Sequence, residues 1–262
     1  TQGVSSAASD VYKRQLVQAF WPGPLTLIVT RQPGVAAAAA GGQDTIGLRC
    51  PSHPVAQTLL EACAEQGVPG LAGPSANRFG RVSPTTAQHV FGEFGDTVPV
   101  IDGGACEVGI ESTIVDCSRG APVLLRPGLI TRAQIEAACG ERLRDRELMA
   151  MPDPRASGTL EAHYAPDAKV RLMDAKAIQT GLDVLGANAA HIAIWTRSTV
   201  RSRSQRVVQR RMPDDAAASA QQLFAVLREF DAQGVKLIWV ETPPDTPEWE
   251  GVRDRLQRAA AA

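Results

Sequence analysis

Residues 170–195 read VRLMDAKAIQTGLDVLGANAAHIAIW. Val170–Met173 has the look of a strand, Ala175–Leu185 places apolar residues at helical spacing, and Ile192–Trp195 is a short apolar run. A strand, a helix and a strand in so few residues predict a βαβ unit, whose crossover makes the two strands parallel. The pattern continues to the end of the chain. Arg206–Arg210 reads as a strand, and Ala216–Phe230 as an amphipathic helix through Leu223, Val226, Leu227 and Phe230. Leu237–Val240 is a further strand, and Glu248–Arg258 is a closing helix after Pro247. The tail, 169–262, is therefore expected to be a small doubly wound domain with a parallel sheet. No glycine fingerprint follows its first strand, so its pattern assigns no ligand.

Working outward, Arg142–Pro166 is charged, contains Pro152, Pro154 and Pro166, and has no sustained period. It reads as a linker between domains, over 141–168, and at that length as a candidate functional loop. Residues 16–140 form the first domain. Strands are expected at Leu25–Thr30, Thr45–Arg49, Val68–Ala72, Val98–Ile101, Ser112–Asp116 and Val123–Arg126. Helices are expected from His53-Pro54 to Glu65, from Ser83-Pro84 onward with Ser83 as N-cap, and from Thr131 to just before Gly140. Phe20-Trp21-Pro22-Gly23-Pro24 stops a helix and turns the chain. Thr1–Gln15 begins without Met and shows no clear period; it is set aside as unassigned, non-native-looking sequence.

Composition narrows the classes. The chain has 262 residues, 27 Lys+Arg against 28 Asp+Glu, and a formal net charge of −1, which excludes a strongly basic nucleic-acid binder and an acidic tail. No apolar run approaches the roughly 18–20 residues of a membrane span, and no signal-peptide pattern is present. Five cysteines without a C-x-x-C pair indicate neither a disulfide framework nor a zinc ribbon, and read as reduced thiols of a cytoplasmic protein.

The first domain carries the candidate chemistry. Gly73-Pro74-Ser75-Ala76-Asn77 directly follows an apolar run, where open α/β sheets bind ligands. Gly73 lets a ligand approach the backbone, and Ser75 and Asn77 offer short hydrogen-bonding groups. Ser83, at an expected helix N-terminus, adds an anion-friendly position. The set reads as a phosphate or nucleotide cradle, or as loop and cap chemistry, since no Walker-type spacing is present. Arg49 and Arg126 each end a strand; such cations suit a phosphate if they face a cleft and are otherwise solvated. His53, before Pro54, reads as a ligand contact or a substitute cap, and Ser112-Thr113 as polar strand chemistry or as part of the same cleft. Six arginines between Arg197 and Arg211 form a local basic patch, read as a solvated face or a weak RNA contact. No His/Cys/carboxylate cluster has metal-ligand spacing, and no nucleophile elbow exists.

Seven motifs occur in order: Phe20-Trp21-Pro22-Gly23-Pro24-Leu25-Thr26; Gly47-Leu48-Arg49 with His53-Pro54; Pro74-Ser75-Ala76-Asn77; Ser83-Pro84-Thr85; Asp102-Gly103-Gly104; Glu111-Ser112-Thr113; and Leu125-Arg126-Pro127-Gly128. The series resembles the YrdC-like domain of threonylcarbamoyl-AMP synthases. Ser157-Gly158, His163-Tyr164-Ala165-Pro166 and the α/β tail resemble the longer, two-domain kind. The resemblance implies a YrdC-like twisted open sheet domain plus a small Rossmann-like C-terminal domain. It implies a nucleotidyltransferase that joins L-threonine, bicarbonate and ATP, with Mg2+, into threonylcarbamoyl-AMP and pyrophosphate, for tRNA threonylcarbamoyladenosine modification by a downstream transferase machinery. By similarity, Arg49, Gly73, Ser75, Asn77, Ser83 and Arg126 hold the nucleotide, with Tyr164 closing over it from the linker. His53, Ser112 and Thr113 face the threonine. Catalysis needs no side-chain base, because the substrate's own carbamate is the nucleophile. The family also has an earlier β-α portion with a Lys/Arg motif, which Thr1–Gln15 does not match; the chain as given is expected to be impaired. The alternative is an RNA-binding module without catalysis.

Overall fold

The computed structural model describes residues 2–145 and 163–262, with residues 2–10 and 145 described by backbone alone. Ser157-Gly158 and most of the expected linker lie outside the described residues. The chain divides into two compact units, one of Thr1–Pro74 with Glu111–Thr159, the other of Ser75–Ile110 with Leu160–Ala262.

The first unit holds helices α1 (Gln2–Phe20), α2 (Pro54–Glu65) and α4 (Arg132–Cys139), and strands β1 (Leu25–Thr30), β2 (Thr45–Leu48), β3 (Thr113–Asp116), β4 (Val123–Arg126) and β5 (Arg144–Asp145). The sheet order is β2-β1-β3-β4-β5. It is mixed: β1 pairs antiparallel with β2 and parallel with β3, β3 antiparallel with β4, and β4 parallel with β5. Leu25, Leu27, Val115 and Leu124 on the sheet pack with Leu16 of α1 and Ile135 of α4. Thr131 caps α4 through a reciprocal capping box with Gln134, and Gly140 ends it in the left-handed region, as its sequence predicts.

Two expectations fail here. Residues 2–15 belong to α1, and Tyr12 and Leu16 are buried in the core. Tyr12, Leu16 and Phe20 are spaced four apart and share one helical face; the Ser/Ala run before them carries no apolar stripe to announce the helix. Val68–Ala72 and Val98–Ile101 form no strand. Leu71 is 50% and Ile101 65% exposed. An apolar run becomes a strand only when another strand takes up its backbone hydrogen bonds, and among the described residues neither run has one.

The second unit is built on β6 (Lys169–Met173), β7 (Ile192–Thr196), β8 (Val207–Arg211) and β9 (Leu237–Glu241), all parallel, in the order β6-β9-β7-β8. Helices α5 (Ala175–Leu185), α6 (Ala216–Ala232) and α7 (Glu250–Ala260) connect and close it. This is the doubly wound tail the opening stretch predicts. Trp195, Phe224, Phe230 and Leu256 are fully buried in its core.

Ser75–Ile110, expected within the first domain, belongs to this second unit, together with helix α3 (Ala87–Phe94). The reason lies in α6. Arg228 donates to the carbonyls of Val82 and Ser83 and pairs with Glu93 at 2.9 Å, while Val82 and Ile110 join the core around Phe224. A segment follows the partner that buries its apolar residues and satisfies its carbonyls.

At the carboxyl ends of β7 and β9, the Glu241 carboxylate accepts hydrogen bonds from Ser198 N at 2.7 Å, Ser198 Oγ at 3.0 Å and Arg197 Nη2 at 3.1 Å. Burial pushes the carboxyl pKa up, but these donors and the Arg197 charge outweigh it and hold it below the ordinary value. A depressed folded pKa means stability present above the unfolded value and lost as pH falls through the folded one. Glu241→Gln is expected to cost roughly 2–3 kcal/mol at pH 7, and thermal melting should show the gap from wild type closing below about pH 4.

Candidate functional site

Three pairings decide where the polar strand ends lie. Leu25 pairs with Thr113, Leu27 with Leu48, and Ile114 with Arg126. The starts of β1 and β3 and the ends of β2 and β4 therefore share one end of the first unit's sheet. That end carries Thr26 near the start of β1, Arg49 just after β2, Ser112-Thr113 at the start of β3, and Arg126 at the end of β4.

Ser112, Thr113 and Arg126 are buried. Arg126 donates from Nε (3.1 Å) and Nη2 (2.9 Å) to the Ser112 carbonyl, and from Nη2 to Ser112 Oγ at 3.3 Å. Ser112 Oγ lies 2.7 Å from Thr26 Oγ1. A planar fork on one carbonyl fixes both guanidinium and backbone, so the hydroxyl is held as well as the charge.

Thr113 is tied into the backbone around it. Its hydroxyl donates to the Ile130 carbonyl at 3.0 Å and its amide to the Pro24 carbonyl at 3.0 Å, in a fully buried setting. It ties the strand start to the turns on either side. Gly128 lies against it: a Cβ there would come 2.6 Å from Thr113 N and 2.7 Å from its Oγ1. Gly23 is needed in the same way, since its Cβ would come 2.4 Å from the Phe20 carbonyl oxygen. The Gly23 amide donates to the Cys50 carbonyl at 2.8 Å, joining the Trp-Pro-Gly-Pro turn to the segment after β2.

Arg49 is exposed and has no ion pair among the described residues. His53 occupies the N-cap position of α2 without a side-chain cap bond, so the substitute-cap reading fails and its half-buried ring is left for other contacts. Gly73 is exposed, with open space where a side chain would stand.

Ser75, Asn77, Ser83 and Tyr164 belong to the second unit. Ser75 is exposed. The Asn77 amide donates to the carbonyls of Arg78 (2.9 Å) and Arg81 (3.2 Å), while its buried Oδ1 accepts nothing among the described residues. Ser83 is buried and is not an N-cap. Helix α3 starts three residues later than expected, with Thr86 extended and its hydroxyl accepting from His89 N at 3.3 Å. Thr85 forces the shift: its amide donates to His89 Nδ1 at 3.2 Å, so the turn closes on the imidazole before the helix begins. Tyr164 lies at the start of the second unit's described tail segment. It is buried at φ 62°, its ring 4.2 Å from that of His163, 5.2 Å from Phe224, and 5.6 Å from the Arg255 guanidinium. In this structure it is part of the second unit's core.

Residues 4–128 match the family described as telomere recombination, a match that begins inside the segment the sequence reading set aside. Residues 130–261 match the C-terminal domain of threonylcarbamoyl-AMP synthase. The threonylcarbamoyl-AMP synthase of Bacillus subtilis is 34% identical, over 94% of this chain and 72% of its own length. The chain belongs to the threonylcarbamoyl-AMP synthase family. Its similarity to the Schizosaccharomyces pombe synthase is 34% identity over 94% of this chain and 65% of the relative. The Pyrococcus abyssi Sua5 crystal structure with L-threonine superposes with a TM-score of 0.81 at 31% identity, covering 95% of this chain and 73% of that one. A second P. abyssi Sua5 structure, with an adjacent His–Tyr pair replaced by alanines, gives 0.82 at 29% identity, covering 95% and 72%.

The sequence reading missed Thr26 as part of the polar end. The signal was present in the Trp-Pro-Gly-Pro-Leu-Thr motif, but nothing in the sequence brings it beside Ser112, 86 residues away. Because Gly128 has no room for a side chain, Gly128→Ala is expected to cost about 1–3 kcal/mol. A melting curve should show the loss, and an unchanged midpoint would mean that the Leu-Arg-Pro-Gly turn is looser than its contacts indicate.

Proposed function

We propose that the chain is an L-threonylcarbamoyladenylate synthase, forming threonylcarbamoyl-AMP and pyrophosphate from L-threonine, bicarbonate and ATP. The observation that carries this reading is the single sheet end holding Arg49, Ser112 and Arg126, in a chain related over nearly its whole length to threonylcarbamoyl-AMP synthases. The P. abyssi relative solved with L-threonine supports threonine as the amino acid.

The chemistry suits the residues. The free threonine amine bonds to the carbon of bicarbonate with loss of water and gives a carbamate, already an anion. Its oxygen bonds to the α-phosphorus of ATP while the bond from that phosphorus to the bridging oxygen of pyrophosphate breaks. No side chain need remove a proton. The protein's part is to position the reactants and to stabilise charge. Arg126, fixed by its fork on Ser112, and Arg49 supply cations on the phosphate side, and Ser112 and His53 face the threonine. Gly73, Ser75, Asn77 and Ser83 are proposed for the nucleotide, with the open acceptor Asn77 Oδ1 as the structural support. Tyr164 joins them through its motif: His163–Tyr164 is the one His–Tyr pair of the sequence. Among the described residues no group of three or more His, Cys, Asp or Glu could hold a metal. Mg2+ is proposed to come with the ATP phosphates, and no step here is routed through it.

The product would feed a transferase that modifies tRNA, which fits a cytoplasmic place; no helix among the described residues is long and apolar enough to cross a membrane. The reading as an RNA-binding module without catalysis is not favoured by the relatives or by the net charge of −1. The test is pyrophosphate release from ATP. It is expected to require both L-threonine and bicarbonate, and to fall at least tenfold in Arg126→Ala. Release that continues without threonine would contradict the proposal.

A further inference from the structure

Ser112 Oγ has two polar neighbours among the described residues, and they constrain its proton. A serine hydroxyl has one proton and two acceptor positions. The Arg126 guanidinium can only donate, so its Nη2 at 3.3 Å occupies one acceptor position. The 2.7 Å contact with Thr26 Oγ1 can run either way. If Ser112 donates to Thr26, the face it has left is a lone pair. If Thr26 donates to Ser112, both acceptor positions are filled and the serine proton is turned outward.

Thr26 is itself held in place. Its hydroxyl faces Ser112 and its methyl lies on the β2 side, where a Cβ on Gly47 would be 3.4 Å from Thr26 Cγ2. Thr26 is β-branched, which restricts its χ1, and its hydroxyl is held by Ser112. An anionic ligand group beside Arg126 selects the arrangement with the serine proton outward, since a lone pair aimed at a carboxylate repels it.

We propose that Thr26 is the positioning residue of the amino-acid subsite: by donating to Ser112 it makes the Ser112 hydroxyl a fixed donor to the carboxylate of an L-amino-acid substrate. This rests on the reading of Ser112 as facing threonine and adds which group of the substrate it holds and what aims it. Thr26 touches neither substrate nor reacting atoms in this assignment; it acts through Ser112.

The experiment is calorimetric titration of the chain with L-threonine and with L-threoninol, which lacks the carboxylate, alongside melting curves. Thr26→Val keeps the shape and removes the hydroxyl. It is expected to weaken L-threonine binding about tenfold, the effect of losing one well-aimed charge-assisted hydrogen bond, and to leave L-threoninol binding unchanged. Thr26→Ser is expected to restore L-threonine binding to within about threefold, because the donor returns. If Thr26→Val does not fold, Thr26→Ala is expected to show the same split between the two ligands. Wild-type affinity for L-threonine in a folded Thr26→Val protein overturns the proposal, as does an equal loss for both ligands, or a Thr26→Ser protein as weak as Thr26→Val. A wild-type chain that binds neither ligand removes the threonine reading itself, a result distinct from each of these.

Discussion

A buried guanidinium organises the first unit's polar end. Arg126 is only 5% exposed, and a cation withdrawn from water persists only where acceptors replace its hydration. The Ser112 carbonyl does this with two donors from one plane, so the last residue of β4 and the residue before β3 cannot move independently. The neighbouring turns inherit the constraint. Thr113 is pinned to Pro24 on one side and to Ile130 on the other, and the chain after Arg126 can pass only because Gly128 has no side chain. Three stretches far apart in sequence, 20–26, 111–113 and 125–130, are thereby locked around a single charge. The cost of burying that charge is also why Lys would be a poor replacement: a point charge on a flexible stem cannot hold a carbonyl from two directions.

Where local pattern and tertiary partner agree, the sequence was legible. The parallel tail follows from alternating short apolar runs and amphipathic helices, each bounded by Gly, Pro or a capping residue. All four of its strands form within a residue or so of where the pattern puts them. The same holds for β1, β2, β3 and β4 and for the start of α4 at Thr131. Val68–Ala72 and Val98–Ile101 have equally convincing local patterns and form nothing, because a strand is a property of a pair. Ser83-Pro84 is a good helix start on paper, yet one imidazole accepting from the Thr85 amide moves the start to Thr86. The grouping of Ser75–Ile110 with the tail has no sequence signal, since it depends on Arg228 reaching carbonyls 145 and 146 residues away.

The site was legible in part. Strand-end arginines and a Glu-Ser-Thr strand start can be read as neighbours in prospect, and the register makes Arg126 and Ser112 neighbours in fact. Thr113 could not be sorted from Ser112 by sequence, because adjacent residues point to opposite sides and only the fold shows Thr113 tied to Ile130 and Ser112 to Thr26 and Arg126. The motif of Tyr164 does not show its surroundings: its ring meets His163 edge-on, lies tilted against Phe224 and has the Arg255 guanidinium 5.6 Å from its centre, a setting that no spacing rule indicates.

The proposed reaction has a physical reading in which no catalytic triad is required. A reaction whose nucleophile is an anion before it enters the site gains nothing from a base, and its difficulty is bringing one anion against the phosphate of another. Such a site must lower charge repulsion and fix direction. A guanidinium locked on a backbone carbonyl would do the first in the proposed reaction, since its position is fixed by the fork it makes. Short hydroxyls such as Ser112, held by its neighbours, would do the second at little conformational cost. Both devices need rigid backbone under them, and the end of a sheet supplies it. The sequence spends its specificity on glycines, prolines and strand-end polar residues because these build that platform.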